Sequence, residues 1–289
     1  MERYSPASKR NNVQLIDTHC HIHELAQKLT PVHDKWFSDG VKRTPEQVIA
    51  SAHEAGVEQM LCVGTTLEDS LLAVEFAGQH ASVSAVIGIH PHDAKSHNST
   101  EVKQAFATLL EDSPLGPGGV VGVGECGLDF FYNNSSRDDQ IAVLRFQIEL
   151  AQKYDLPLNF HVREAFDDFW PIFDELHAQK PLRGVLHSFT DSLENMQVAI
   201  ERGLYIGVNG IATFAKSEDQ RTMYCAIPAG KLVIETDAPF LTPVPFRGNI
   251  CEPKHVAQTH AFLAELRRQQ PEELARITSE NARTLFGLE

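Results

Sequence analysis

Six side chains able to ligate a metal lie far apart along the chain, each near the end of an apolar, strand-like run. They are His19 and His21 in LIDTHCH, Glu125 in VVGVGECGLD, His161 in LPLNFHVRE, His187 in GVLHSF and Asp237 in KLVIETDAP. Four histidines and two carboxylates form a ligand set suited to hydrolytic zinc, manganese or magnesium sites. His19 and His21 are two residues apart, so on a strand both imidazoles face the same side. The spacing alone says little, because the chain holds 14 histidines and His21-x-His23 repeats the pattern. A carboxylate closing a buried strand is costly unless paired or metal-bound. Glu125 meets that condition, and its two oxygens make it the candidate for a ligand shared by two cations. Asp237 can ligate and can also take a proton from water, as hydrolysis at neutral pH requires. Asp17 is placed to orient a ligand from behind.

Other residues border these strand ends. His90 in GIHPHD is a candidate for positioning substrate or for a hydrogen bond to Glu125. Arg163 follows His161 by two and shares its face, so it suits a phosphate or carboxylate; the plainer alternative is a salt bridge to Glu164 or Asp167. Asp129 is expected in a turn or cap beyond the strand. Cys126 reads as a packing residue, since no base is free to activate it. P-loop, GxGxxG and GxSxG patterns are absent from the sequence.

Such scattered ligands meet in a barrel of parallel strands, whose carboxyl ends share one mouth. Eight apolar runs read as strands: 13–20, 59–64, 83–89, 120–125, 156–161, 183–188, 204–209 and 231–236. They show little alternation, as strands buried on both faces do. Helix-period segments lie between them, at 44–56, 67–80, 101–111, 136–154, 164–178, 191–203 and 217–226, and two more follow at 252–268 and 271–286. Thr44 with Pro45 makes a helix start, and Asp191 with Glu194 resembles a capping box. Strict alternation of eight strand–helix units implies a (β/α)8 TIM barrel over 13–289, after a polar extension at 1–12. The connection 22–43 is unusually long. It holds Trp36 and Phe37 beside Lys35, Lys42 and Arg43, which either stack on unpaired bases and meet phosphates or anchor the loop to the barrel.

The 289 residues, 42% hydrophobic and 22% charged, are those of an ordinary globular chain. A net charge of −14 argues against a broad basic surface for duplex DNA. Five cysteines without a CxxC, no apolar run of ~18 residues and no secretory h-region point to a soluble cytoplasmic protein with reduced thiols.

The ordered set DTHCH, GIHPHD, VGECGLD with the helix from Arg137 to Phe146, FHVREA, LHSF and ETDAPFLTPVPFRG resembles the TatD family of metal-dependent hydrolases. The resemblance runs over roughly residues 14 to 286. It implies an amidohydrolase-like barrel with two divalent ions (Mg, Mn or Zn). His19, His21 and Asp237 would serve one ion, His161 and His187 the other, and Glu125 would bridge. It also implies a Mg-dependent deoxyribonuclease of 3′→5′ exonuclease type; the stacking reading of the loop adds a preference for single-stranded or frayed DNA ends, and no obligate protein partner is expected. The alternative is a D-aminoacyl-tRNA deacylase or another ester or amide hydrolase using the same site. The chain departs from the family at three places, all at the mouth. His23 replaces a common aspartate, the loop 22–43 is long, and Arg247 to Pro253 lacks the usual lysine and asparagine.

Overall fold

The computed structural model of the chain describes residues 14–132 and 134–288. The extension expected over 1–12 therefore lies outside the described residues. Eight parallel strands pair in chain order: β1 (Leu15–Cys20), β2 (Val57–Val63), β3 (Val83–Ile87), β4 (Val120–Asp129), β5 (Leu158–Arg163), β6 (Gly184–Leu186), β7 (Tyr205–Val208) and β8 (Leu232–Ile234). The last strand meets the first at the carboxyl ends. Cys20 bridges to Ala238, the Asp237 amide donates to the His19 carbonyl (2.8 Å), and the His21 amide donates to the Ala238 carbonyl (2.8 Å).

The helices are α1 (Pro31–Trp36), α2 (Pro45–Glu54), α3 (Leu67–Gln79), α4 (Ala94–His97), α5 (Thr100–Asp112), α6 (Arg137–Tyr154), α7 (Phe166–Gln179), α8 (Leu193–Glu201), α9 (Glu218–Ala226), α10 (Val256–Arg267) and α11 (Pro271–Phe286). Local chemistry sets their starts. Thr44 caps α2 in a full capping box with Gln47, with Pro45 at the first helical position. At α8 the cap is Ser192, which accepts from the Asn195 amide. Asp191, the expected cap, instead accepts from the Ser192 amide and the Asn195 side chain.

Strand residues alternate between two apolar layers. Met60, Cys62, Ala85 and Ile87 pack toward the helices, while Leu61, Val63, Val86, Val121, Val185 and Val233 cluster inside the barrel with Leu285 and Phe286 of α11. The strands are buried on both faces, which is why their sequences read as continuous Val/Ile/Leu runs. With that interior closed by apolar packing, the polar strand ends have one place to gather, the opposite mouth.

Three boundaries differ from the sequence reading and matter for the site. β4 runs four residues past Glu125, because Cys126 to Asp129 pair with Phe160 to Arg163 of β5. β6 and β8 end early, so His187 and Asp237 stand just beyond the paired residues, and Ser188 and Asp237 turn left-handed there (φ 50° and 61°). The loop 22–43 is ordered as a 3-10 turn (Ile22–Leu25) followed by α1. No helix among the described residues is long and apolar enough to cross a membrane. All five cysteines are free.

Candidate metal centre

Glu125 is the hub of the mouth. Its Oε1 lies 2.7 Å from His161 Nδ1, 2.9 Å from His187 Nε2 and 3.4 Å from His90 Nε2. Its Oε2 lies 3.4 Å from His19 Nε2. Asp237 Oδ1 completes the other side, 3.6 Å from His19 Nε2 and 3.4 Å from His21 Nε2. The six residues singled out in the sequence are thus joined by contacts of less than 4 Å, although they come from five different strand ends. Ligand atoms of His19, His21 and Glu125 lie within 4.8 Å of one another, as do those of His90, Glu125 and His161.

The imidazoles are held from behind, and that fixes which nitrogen is free. His21 Nδ1 donates to the Val63 carbonyl (2.8 Å), leaving the Nε2 lone pair toward Asp237. His161 Nε2 faces Asp129 Oδ2 at 3.1 Å, so a proton there leaves Nδ1 free on the Glu125 side. His187 Nδ1 faces Glu235 Oε1 at 3.4 Å, leaving Nε2 toward Glu125. Such carboxylate and carbonyl partners fix tautomer and ring orientation in metal sites. His19 differs: both ring nitrogens are buried without a hydrogen-bond partner, and its ring stacks on His187 with centroids 4.0 Å apart.

That orphaned ring is the test of whether a cation fits. A fully buried imidazole with neither nitrogen satisfied is expensive. A cation at Nε2, where the Glu125 and Asp237 oxygens also converge, would satisfy it and offset the facing carboxylates. The donor set of imidazoles and carboxylates suits divalent ions of intermediate hardness. The residues therefore fit a metal.

The electrostatics agree. Burial works to lower His161 and His187, but the hydrogen bonds that His161 makes to Asp129 and Glu125 raise it, and the Glu125 charge raises His187. Burial works to raise Glu125 and Asp237, and the surrounding histidines hold both below the usual carboxylate range. Bound cations would compete for these same lone pairs, since ligation needs neutral imidazole and ionised carboxylate.

The remaining expectations sort themselves. His90 lies three residues past β3, with Nδ1 accepting from the His92 amide and Nε2 toward Glu125. Burial lowers its pKa to about 4. Arg163 is exposed at the rim and lines the cavity. Among the described residues it makes no ion pair with Glu164 or Asp167; its guanidinium lies over the Phe131 and Tyr132 rings instead. Asp17 does not touch an imidazole. It accepts from the Thr236 hydroxyl (2.6 Å), the Thr236 amide (2.9 Å) and the His19 amide (3.3 Å), so it aligns the β1 and β8 backbones. Cys126 is a packing residue, buried with its thiol toward the Asn159 carbonyl.

Asp129 corrects the sequence reading most. It caps the turn after β4, but its Oδ2 also contacts His161 and His92 (3.0 Å), and it is fully buried. His92 and Glu235 were missed as well. The signal for each was present: His90-x-His92 repeats the spacing of the first pair, and Glu235 stands two residues before Asp237.

Trp36 settles the loop. It is fully buried, its indole N–H donates to the His21 carbonyl (3.0 Å), and it offers no face to a base. Arg43 pairs with Asp39 (2.6 Å) and Glu252 (3.3 Å), so this cation is not free for phosphate. These contacts join the long loop to the divergent segment after β8. His23, at the third departure, pairs with buried Asp69 at 2.9 Å. Burial opposes its charge, yet Asp69 raises it to about 10. The mouth itself is a cavity of about 1020 Å³, lined by Leu29, Thr30, Tyr132 and Arg163 besides the ligand set.

Comparison with known proteins gives one consistent picture. A family model for TatD-related DNases matches residues 16–287. The 3′-5′ ssDNA/RNA exonuclease TatD of Citrobacter koseri is 37% identical over 266 residues, 87% of this chain and 99% of the relative. The uncharacterized metal-dependent hydrolase YabD of Bacillus subtilis is 35% identical over 274 residues, 95% of this chain and 99% of its own. Among solved structures, the TatD homologue YjjV of Escherichia coli K12 superimposes with a TM-score of 0.82 at 29% identity, covering 96% of this chain and 100% of that one. The phosphotriesterase homology protein of Escherichia coli, at 13% identity and a TM-score of 0.68, covers 96% of this chain and 99% of its own and shares the fold.

Proposed function

The chain belongs to the TatD-related DNase family, and on that footing we propose that it is a two-metal phosphodiesterase removing nucleotides from the 3′ end of single-stranded DNA. The observation that carries the two-metal part is the division of Glu125. One carboxylate oxygen faces His161 and His187, and the other faces His19 on the side of His21 and Asp237. A single carboxylate with opposite oxygens turned to separate histidine groups is the arrangement a bridging ligand needs. The polarity and the single strand are carried over from the Citrobacter relative, and 37% identity over 266 residues supports the transfer.

Divalent cations (Mg, Mn or Zn) held by these six residues would supply Lewis acidity to a phosphoryl oxygen and to the attacking water. Asp237 accepts the proton of that water: its carboxylate is ionised, faces the cavity and is fixed by His19 and His21. Glu125 holds the histidines at one centre. Arg163 meets a non-bridging phosphate oxygen at the rim. His90, kept neutral by burial, orients the phosphate from inside the mouth. Residues 13–289 work as one barrel domain, with 1–12 as a polar extension.

The test is a parallel assay of metal-loaded protein on 3′- and 5′-labelled single strands, blunt duplex and a D-aminoacyl-tRNA. The reading expects stepwise shortening from the 3′ end of the single strand, abolished by chelation and restored by Mg, Mn or Zn. Turnover of the aminoacyl ester with all DNA left intact would replace it with the deacylase reading.

A further inference from the structure

Strand β4 hands over to Phe130, Phe131 and Tyr132 at the rim of the mouth. Phe130 is buried, whereas Phe131 is 48% and Tyr132 54% exposed. Single apolar side chains on a surface need no explanation, and Leu71 and Leu115 are of that kind. The two rings differ from these in two respects, and Tyr132 in a third.

They are held in place. Asp129 Oδ1 accepts from the Phe131 amide (3.0 Å) and the Tyr132 amide (3.1 Å), while Oδ2 of the same carboxylate contacts His161. One buried group therefore sets the rings' backbone and a candidate ligand together. They also carry a cation: the guanidinium carbon of Arg163 lies 4.1 Å from the Phe131 ring centroid and 4.8 Å from that of Tyr132. A guanidinium over aromatic rings keeps its N–H edge available to an anion. Finally, Tyr132 and Arg163 line the same cavity as Glu125, His161 and Asp237.

We propose that Phe131 and Tyr132, together with Arg163, form a base-stacking subsite for an unpaired nucleotide next to the linkage that is cut. This rests on the nucleic-acid reading above. A nucleotide offers a flat π-face and an anionic phosphate a short distance apart, and the rim offers aromatic rings and a guanidinium in contact with each other. Stacking on a side chain requires the base to be out of its own helix. The subsite therefore selects single strands and frayed ends, and it does so without reading sequence, because every base has a π-face. It takes over the role that the loop 22–43 cannot fill, since Trp36 is buried and Arg43 is paired.

The experiment compares kcat/KM on two single-stranded oligonucleotides, one with ordinary bases and one whose two 3′-terminal residues are abasic. Wild type should favour the ordinary strand by roughly one to two orders of magnitude, the usual worth of a stacked base. Tyr132→Ala and Phe131→Ala should each lose much of that preference; Tyr132→Phe should keep it. Equal wild-type rates on both strands overturn the subsite and leave the nuclease reading standing. So does an unchanged preference in a Phe131→Ala/Tyr132→Ala double variant. Hydrolysis of neither strand by the wild type, in any metal, overturns the nuclease reading and the subsite with it. The wild-type comparison needs no variant to fold.

Discussion

Glu125 and Asp129 do different work from neighbouring positions on one strand. Glu125 stands among His19, His90, His161 and His187, and on the two-metal reading removing it would leave the cations' charge uncompensated as well as their ligand missing. Glu125→Ala should therefore cost the most of any ligand change, with bound metal measured by atomic absorption falling toward zero alongside turnover; wild-type metal content in this variant would remove the bridging role. Asp129 touches the candidate ligands only through His161, and it also holds His92 and the Phe131 and Tyr132 amides among the described residues. An asparagine there has one oxygen for four donors and must turn its amide toward an imidazole or a backbone N–H. Asp129→Asn should weaken metal binding by about 10–100-fold, the usual effect of losing a carboxylate behind a histidine ligand. Excess metal should restore much of its kcat, which a purely structural lesion would not allow. Asp237→Asn is the contrast. The amide oxygen can still coordinate but takes no proton at neutral pH, so kcat should fall at least ~10²-fold with KM little changed. A proportionate rise in KM would make Asp237 a ligand alone.

At the scale of elements, the order of strands and helices was legible; where β4 ends and how the loop 22–43 folds were not. Val/Ile/Leu runs buried on both faces announce parallel strands, and a polar residue closing each run can only face the mouth. That put all six ligand candidates in view. Asp129 was hidden because CGLD reads as a turn, while the β5 backbone in fact pairs with it and carries the strand four residues further. The loop 22–43 was hidden because an indole beside basic residues suits both stacking and burial, and only the fold shows the His21 carbonyl that takes its N–H. Trp36→Ala should lower unfolding free energy by about 3–5 kcal/mol, as large aromatic truncations in cores do. The folded fraction should bind a single strand within twofold of wild type by anisotropy; a stable protein with weakened binding would return the loop to the substrate. The short helical turn after this segment's partner gives a pH test. Burial and the Lys254 charge lower His255 to about 4, and its Nδ1 accepts from the Glu252 amide at 2.9 Å. The unfolded histidine titrates near ~6.5, so between the two values the unfolded state binds more protons. This contribution is fully present above pH ~6.5 and is lost as pH falls toward 4. It is worth on the order of 3 kcal/mol. In His255→Asn, urea midpoints should fall less steeply between those pH values than in wild type; parallel curves would count against it.

For the whole molecule, the charge balance decides how a polyanion can be held. The chain carries −14 overall, and Arg163 is the one Lys or Arg among the described residues lining the mouth. A protein that grips nucleic acid through a basic groove releases many counterions, and its affinity falls steeply with salt, by about 0.7 log units per phosphate contact per decade for single strands. On the proposed reading the phosphates would meet one guanidinium and whatever positive field bound cations supply, while stacking at the rim would respond little to ionic strength. The net negative charge of the chain works against extended contact with a polyanion. Binding of a labelled single strand to metal-loaded Asp237→Asn protein, followed by anisotropy from 50 to 200 mM KCl, should give a log–log slope no steeper than roughly −1.5, equivalent to one or two phosphates. Chelation should reduce affinity far more than the highest salt does. A slope of about −4 or steeper, persisting without metal, would mean that a basic surface elsewhere carries the strand and that the mouth is not its main anchor.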